Sequence, residues 1–237
     1  MKERLDKFIS SQTTLSRKDA VKAIREKRVT VNGAVASAGD SKIDPSADTV
    51  TLDGGRVSYR KYVYYMLNKP AGVVSATEDR AERTVLDLLP PEFKRDGIFP
   101  AGRLDKDTTG LLILTDDGDY AHRMLSPKKH VAKTYIASLD RAPDDALVAR
   151  FAEGITLADG TLCQPAQARL LDNRRAEVTI HEGKYHQVKR MFAAAGCHVE
   201  SLERVRIGGL TLDPALAVGE VRALSEEEAA SVFAGHA

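Results

Sequence analysis

The first sixty residues show the apolar spacing of short helices, followed by the alternation of a strand. Apolar residues recur at helical spacing near the start, and Ser16 is a suitable N-cap for a second helix over 17–28. Apolar and polar positions then alternate through 29–36, where Asn32-Gly33 predicts a tight hairpin turn. We therefore predict a small α/β domain over residues 1–58.

From residue 59 onward, strand-like and helix-like segments follow one another without a regular βαβ rhythm. Strands are predicted over 62–67, 111–114, 133–139, 165–171, 175–181 and 199–207, and helices over 85–89, 119–125, 144–153, 185–195 and 225–233. Pro127 is expected to end the helix over 119–125, and Ser225 to cap the last helix. The prediction for 59–237 is one α+β domain with a large mixed, mostly antiparallel sheet and flanking helices.

Composition narrows the class of protein. Hydrophobic residues make up 43% and charged residues 29%, which is typical of a globular domain. The two cysteines, Cys163 and Cys197, are too few for a disulfide framework, and without a CxxC pair we expect no zinc site and no other metal. The charged start and the lack of a long apolar run predict a cytoplasmic protein with no membrane segment.

Positive charge is concentrated at the N-terminal end. Residues 1–33 hold nine Lys and Arg against four Asp and Glu, whereas the remainder holds 26 against 30. Such a distribution fits a polyanion-binding module, and it fits an ordinary solvated helix face equally well. The candidate contacts on the two helices and the turn after them are Arg4, Lys7, Arg17, Lys18, Lys22, Arg25 and Arg28.

The same region resembles the S4 RNA-binding domain. The resemblance is carried by RLDKFI, by LSRKDAVKAIREKRVTVNG and by the closing DTVTLDGG. It implies that the basic helical face docks against the phosphates of structured RNA. Binding through neutralised phosphates would depend strongly on salt concentration.

One carboxylate in the second part of the chain lies in a distinctive segment, GRLDKDTTGLLILTDDG, which begins at Gly102. Asp105 stands there in a turn before an apolar strand. A lone aspartate in a turn is usually structural, because its carboxylate accepts hydrogen bonds from nearby amides. The segment by itself therefore favours a structural role over a catalytic one.

Three further segments change that balance: Asn68-Lys69-Pro70, Lys133-Thr134-Tyr135 and EGKYHQVKRM over 182–191. Together with the segment around Asp105, they resemble the four motifs of the pseudouridine synthases, and most closely the ribosomal small-subunit branch. The resemblance implies isomerisation of a uridine in 16S ribosomal RNA to its C-glycoside, at uridine 516, without a cofactor. It also implies that Asp105 is the catalytic residue.

The chemical route stays open between three possibilities. A carboxylate can attack the sugar to form an ester, and splitting one hard step into two easier ones is a common use of such a nucleophile. It can also add to the uracil ring, or remove a proton from C2′ so that a glycal forms.

Two other residues receive catalytic roles by resemblance. Tyr135 would stack on the uracil and help to remove the C5 proton, although a strand tyrosine can equally be a packed core residue. Lys189 stands where many relatives carry an arginine, and it would supply a positive charge beside Asp105. Arg190 is the alternative, but neighbouring helix residues point about 100° apart, so only one can face Asp105.

Arg103 would occupy the gap that a flipped-out uridine leaves in the RNA. The alternatives are a phosphate contact or a salt bridge to Asp107. Supporting roles are expected for Gly102, Thr108, Thr109 and Gly110 in shaping the Asp105 loop, for Asn68 and Lys69 in bracing it, and for His186 and Gln187 in packing around the motif helix.

Other functions are compatible with parts of the pattern. A large-subunit (23S) rRNA pseudouridine synthase shares the plan, but it more often carries an acidic residue at Thr109 and an asparagine at Asp116. A non-catalytic ribosome-assembly factor is opposed by the intact Asp105 and Tyr135. An aspartate-dependent hydrolase would need a second carboxylate, a metal cluster or a Ser/His pair. The expected partner is 16S rRNA or a small-subunit assembly particle, bound by a monomer.

Overall fold

The computed structural model describes residues 2–126, 129–144 and 146–234. The chain forms two compact units. The first comprises Met1–Tyr62 and Leu89–Ile98, and the second comprises Val63–Leu88 and Phe99–Ala237. Pro127, which the sequence predicts to end a helix, lies outside the described residues.

The first unit is built from two helices and short antiparallel strands. Its elements are β1 (Glu3–Arg4), α1 (Leu5–Gln12), α2 (Arg17–Arg25), β2 (Val29–Val31), β3 (Ala34–Val35), β4 (Lys42–Ile43), β5 (Val50–Leu52) and β6 (Gly55–Arg56). Strands β3, β2, β5 and β6 form one sheet in that order, and β1 pairs with β4. The apolar faces of α1 and α2 pack against residues of β2, β4 and β5 in a common core.

Local sequence signals in this unit are confirmed. The hydroxyl of Ser16 accepts a hydrogen bond from the backbone N–H of Asp19 at 3.1 Å, which caps α2 as predicted. Asn32 and Gly33 have φ of 52° and 82° between β2 and β3, the left-handed pair that a tight hairpin turn requires. Turn chemistry therefore fixes the position of the first hairpin.

The second unit contains a nine-stranded sheet within the described residues. Its strands are β7 (Tyr64–Lys69), β8 (Phe99–Pro100), β9 (Thr109–Thr115), β10 (Lys133–Leu139), β11 (Gln167–Leu170), β12 (Arg175–Ile180), β13 (Val199–Ile207), β14 (Leu210–Thr211) and β15 (Val221–Ala223). The helices are α3 (Gly118–Leu125), α4 (Leu147–Glu153), α5 (Gln187–Ala194) and α6 (Glu226–Ser231).

The main path of the sheet runs β11-β12-β10-β13-β9-β7-β15, with β14 attached to β13 and β8 attached to β9. Strands β9 and β13 run parallel, whereas the other strand pairs described in this sheet are antiparallel. The predicted α+β class with a mixed, mostly antiparallel sheet is confirmed. Leu111–Leu114 of β9 are all fully buried, because the middle of the sheet is covered on both faces.

Several element boundaries differ from the predictions. The segment predicted as a helix over 85–89 is a 3₁₀ turn over Val85–Leu88. Helix α5 begins at Gln187 and not at 185, because His186 adopts the left-handed conformation with φ of 47°. The short strands β8, β14 and β15 were not predicted, since two or three residues carry no readable alternation.

None of the helices in the described part of the chain has both the length and the apolar character needed to cross a bilayer. Among the same residues, no cluster of three or more His, Cys, Asp and Glu side chains is arranged to hold a metal ion.

Candidate active site

Asp105 lies in the loop between β8 and β9, at a pocket of about 650 Å³ in the second unit. Its side chain is 28% exposed, so the carboxylate is accessible from the pocket but partly shielded from water. The other lining residues come from several separated stretches of the chain and include Arg103, Lys133, Tyr135, His186 and Arg204. Three of the four motif segments that the sequence singles out therefore line one cavity, and the fourth, Asn68-Lys69-Pro70, contacts the Asp105 loop through Lys69.

Lys69, a fully buried residue at the end of β7, holds the Asp105 loop in place. Its ammonium donates hydrogen bonds to the carbonyl oxygens of Pro70 at 3.0 Å, Lys106 at 3.2 Å and Thr108 at 2.9 Å. Burial lowers the pKa of Lys69 to about 8. The protonated form still predominates at neutral pH, and its three N–H donors match the three carbonyl acceptors.

The predicted bracing role is thus met by Lys69, but the prediction for Asn68 is wrong. The amide of Asn68 donates to the carbonyl of Leu216 at 2.9 Å, away from the Asp105 loop. Adjacent residues of a strand point to opposite faces of the sheet, so only one of this pair can reach the loop.

A second anchor holds the loop from the segment that follows β7. The hydroxyl of Ser75 accepts from the N–H of Leu104 at 3.0 Å and donates to its carbonyl at 2.9 Å. The N–H of Gly72 donates to the carbonyl of Lys106 at 2.8 Å. Backbone groups on both sides of Asp105 are therefore fixed, which holds the carboxylate in place before any substrate binds.

Of the two basic candidates in α5, Lys189 is the one beside Asp105. Its ammonium lies 3.3 Å from the Asp105 carboxylate and 2.5 Å from that of Asp107. Arg190 instead pairs with Asp159 at 2.5 Å. The hydrogen bond from Lys189 lowers the pKa of Asp107, which is otherwise largely exposed. Lys189 thus links two carboxylates of one loop.

His186 was predicted only to pack around the motif helix, but the structure places its ring beside Asp105. Its Nε2 lies 3.5 Å from an Asp105 oxygen, and its ring stacks on Tyr185 with centroids 3.9 Å apart. The left-handed backbone at His186 directs this ring toward the pocket, and no local sequence signal marks that conformation. Gln187 is buried at the start of α5, and its amide donates to Glu182 at 2.7 Å, which fixes the turn before the helix.

Tyr135 lies on β10 and forms part of the pocket wall with 7% of its surface exposed. The guanidinium of Arg204, from the paired strand β13, lies 6.0 Å from the centroid of its ring. Because it faces the cavity that contains Asp105, Tyr135 offers a flat apolar surface and a phenolic oxygen to a bound ligand.

Arg103 is exposed at the pocket, and its side chain has no hydrogen-bond or ion-pair partner within the described ranges. The alternative salt bridge to Asp107 is not formed, since Asp107 pairs with Lys189. The guanidinium is therefore free to contact a ligand.

Gly110 allows the parallel strands to approach each other at the site. It has φ of 94°, and it pairs with Arg204 across β9 and β13. A Cβ atom there would lie 2.3 Å from the carbonyl oxygen of Arg204, so a larger residue would push the strands apart. Gly102, with φ of 98°, likewise takes the positive φ that was predicted.

The basic residues of the first unit fall into two groups. Arg4 and Arg17 pair with the buried Asp6 at 2.8 and 3.4 Å, and the hydrogen bond from Arg4 lowers the pKa of Asp6 to about 2. Arg28 pairs with Asp53 at 2.6 Å.

The second group is fully available for other contacts. The exposed side chains of Lys7, Lys18 and Arg25 have no ion-pair partner in the described part of the unit.

Comparisons with known proteins agree with the geometry of both units. The family model described as RNA pseudouridylate synthase matches residues 63–194, and the S4 domain model matches residues 3–48. A solved structure described as a pseudouridylate synthase superposes with a TM-score of 0.69 at 40% identity, covering 97% of this chain and 99% of its own. The chain belongs to the RNA pseudouridylate synthase family.

Named relatives cover nearly the whole length. The ribosomal small subunit pseudouridine synthase A of Yersinia pestis is 46% identical, over 98% of this chain and 99% of its own. The protein of the same name from Escherichia coli K12 is 46% identical over 97% and 99%. An uncharacterized RNA pseudouridine synthase of Bacillus subtilis is 45% identical over 95% and 96%. The protein is thus an isomerase that acts on RNA and carries an S4 domain.

Proposed function

We propose that this enzyme converts one uridine of small-subunit (16S) ribosomal RNA, uridine 516, to pseudouridine without a cofactor. The target rests on the names of the relatives that match the chain over almost its full length. The observation that carries the chemistry is the position of Asp105, partly shielded and braced at a pocket with Tyr135 on its wall.

The reaction breaks the N1–C1′ glycosidic bond, turns the uracil and joins C5 to C1′. Asp105 acts on the sugar or the base by one of three routes: an ester at C1′, an adduct of the uracil ring, or removal of the C2′ proton. A carboxylate held by fixed backbone groups suits each route, because its position needs no rearrangement when substrate binds. Lys189, 3.3 Å away, places a positive charge beside this carboxylate.

Tyr135 stacks on the target uracil, and its phenolic oxygen helps to remove the C5 proton once the new bond has formed. General acid–base help of this kind typically contributes about 10²- to 10⁴-fold to a rate. Arg103, exposed and without a partner in the described residues, enters the space that the flipped uridine leaves.

We assign residues 1–58 to an S4-like RNA-binding domain and 59–237 to the catalytic domain. Docking uses the basic residues of the first unit: Arg4, Lys7, Arg17, Lys18, Arg25 and Arg28. Lys7, Lys18 and Arg25 contribute most, because the other three already pair with carboxylates. The enzyme works in the cytoplasm as a monomer, on free 16S rRNA or on a small-subunit assembly particle.

The test is to map pseudouridine in ribosomal RNA from cells with and without the gene. The proposal predicts loss of one pseudouridine, at uridine 516 of 16S rRNA, and its return with the wild-type gene. Loss of a pseudouridine from 23S rRNA instead would show that the enzyme is the large-subunit alternative. An unchanged pseudouridine map together with a defect in ribosome assembly would show that the protein is a non-catalytic assembly factor.

A further inference from the structure

Among the residues that the structure describes, two basic side chains at the pocket are buried without a carboxylate partner. Arg204 is 3% exposed and Lys133 is 9% exposed. Nε of Arg204 donates to the carbonyl of Leu111 at 2.8 Å, but its buried Nη2 has no partner in the described residues. Lys133 donates to the carbonyl of Val131 at 3.0 Å, which uses one of its three N–H donors.

Other basic groups near the pocket differ in this respect. Lys189 pairs with Asp105 and Asp107, Arg190 pairs with Asp159, and Lys184 pairs with Glu182. A buried positive charge without a counter-charge is costly, and an unsatisfied donor adds to that cost. Arg204 and Lys133 are therefore arranged to receive a hydrogen-bond acceptor from the bound substrate.

The strand geometry directs both side chains to the same cavity. Lys133 and Tyr135 are two residues apart on β10, so they share one face of the sheet. Arg204 is the register partner of Tyr135 on β13.

The pairing of β10 with β13 shifts register between Thr134 and Tyr135, as at a β-bulge. Strict alternation along β13 from Leu202 and Arg204 would place residue 206 on the pocket wall. Because of the shift, Ile207 lines the wall together with Leu202 and Arg204 instead.

The chemistry of the proposed reaction supplies the missing negative charge. In the ester and glycal routes, the electron pair of the N1–C1′ bond leaves with the uracil, and the charge spreads over N1, O2 and O4. In the ring-addition route, attack at C6 moves the ring electrons toward O4. In the ester route C5 then bonds to C1′ and displaces the Asp105 carboxylate, and in the glycal route C5 bonds to C1′ while C2′ regains its proton. In the ring-addition route the N1–C1′ bond breaks, C5 bonds to C1′, and the Asp105 carboxylate then leaves C6. In every route the C5 proton finally passes to a base and N1 gains a proton. The uracil oxygens thus carry charge in every route.

We propose that Arg204 and Lys133 form a cationic hole for the uracil oxygens, and that both contact the base during the reaction. This inference rests on the proposed function. Preorganised donors at a developing oxyanion typically contribute about 10²- to 10³-fold to a rate. The competing occupant of the same hole is the phosphate of the target nucleotide, which is charged before and after the reaction alike.

The two occupants predict different kinetics. A hole for the uracil oxygens stabilises the transition state, so its loss lowers kcat and leaves RNA affinity nearly unchanged. A phosphate site binds substrate and transition state alike, so its loss raises KM and Kd instead.

The experiment measures single-turnover consumption of uridine and RNA affinity for the full-length Arg204→Met and Lys133→Met variants. Each is compared with wild type on RNA carrying uridine or 5-fluorouridine at the target. Arg206→Met is the matched control, because Arg206 is an exposed residue of the same strand that does not line the pocket. Thermal unfolding of each variant checks the fold.

On uridine we expect a loss of about 10²- to 10³-fold for Arg204→Met. For Lys133→Met we expect about 10- to 100-fold, which corresponds to one charge-assisted hydrogen bond. Fluorine at C5 stabilises the uracil anion, so both losses should be clearly smaller on 5-fluorouridine. The Arg206→Met variant should show no such difference between the two bases.

Equal losses of rate on uridine and on 5-fluorouridine would overturn the proposal. An effect confined to KM and Kd would also overturn it, and would indicate that the phosphate of the target nucleotide occupies the hole. Lys133→Met gives the decisive result if Arg204→Met fails to fold, since Lys133 makes a single backbone hydrogen bond. A wild-type protein that consumes no uridine would refute the proposed function itself, whereas an active wild type with unaffected variants refutes this inference alone.

Discussion

The ammonium of Lys69 donates a hydrogen bond of 2.9 Å to the carbonyl oxygen of Thr108, three residues beyond Asp105. It reaches the carbonyl of Lys106 as well, so one buried cation holds the backbone immediately after Asp105. A carboxylate placed by fixed backbone can act without a conformational search.

Replacing Lys69 with methionine should therefore reduce both stability and activity. Three carbonyl groups lose a charged donor in the interior, which should lower the free energy of unfolding by about 2–4 kcal/mol. Turnover should fall further than the loss of folded protein explains, because the Asp105 loop becomes mobile. Thermal unfolding and single-turnover assays at a temperature where the variant is folded measure the two effects. Lys129→Met, at an exposed position, is the control. A fully active Lys69→Met enzyme would mean that the loop is held adequately by Ser75 and Gly72.

Tyr135→Phe separates stacking from proton transfer. The ring remains, so the Kd for RNA should be unchanged, whereas turnover should drop by about 10²-fold or more if the phenolic oxygen takes part in removing the C5 proton. Filter binding and single-turnover kinetics provide the two readouts, with the exposed Tyr59→Phe as control. Full activity of Tyr135→Phe would restrict the role of this residue to stacking.

Lys7, Lys18 and Arg25 should account for more of the salt dependence of RNA binding than Arg28 does. Each phosphate contact contributes about 0.7–0.9 to the slope of log K against log salt concentration. Changing any of the three to glutamine should reduce the slope by about that amount. Arg28→Gln should reduce it less, because Arg28 already pairs with Asp53 at 2.6 Å. Equal slopes for all four variants would contradict this ranking.

The acid stability of the first unit should depend on Asp6. Hydrogen bonding from Arg4 is the largest cause that lowers the pKa of Asp6 from 3.8 to about 2. A carboxyl group with a lowered pKa in the folded state stabilises the fold above pH 4, and that stabilisation is lost as the pH falls toward 2. Asp6→Asn should therefore flatten the decline in stability of the first unit between these pH values.

Hydrogen exchange of α1 and α2 amides across that pH range measures the effect. Asp96→Asn, an exposed carboxylate of the same unit, is the control. An unchanged acid profile for Asp6→Asn would show that the Arg4–Asp6 pair does not contribute to folding.

The sequence predicts best those features that depend on near neighbours. The cap at Ser16, the turn at Asn32-Gly33 and the strands over 133–139 and 199–207 all follow from local chemistry and alternation, and the structure confirms them. The segments that resemble family motifs also predict which parts of the chain meet at the pocket.

The remaining features of the site depend on tertiary geometry. Arg204 reaches the pocket through a register shift and a parallel pairing with Gly110, and neither can be read from the sequence around it. His186 reaches Asp105 through a left-handed backbone conformation. The assignment of Asn68 to the loop was wrong because the strand continues through Lys69, which sends the two side chains to opposite faces.

The proposed reaction requires the Asp105 carboxylate, and the Asp105→Asn variant is its sharpest test. The variant keeps the size of the side chain but removes the nucleophilic and basic oxygen. Asp107→Asn is the matched control, since it removes the neighbouring carboxylate that also pairs with Lys189. The measurement is pseudouridine formed in 16S rRNA by purified protein, together with RNA affinity. We expect no pseudouridine from Asp105→Asn at near-normal RNA affinity, and continued turnover by Asp107→Asn. A normal rate from Asp105→Asn would contradict the proposed reaction.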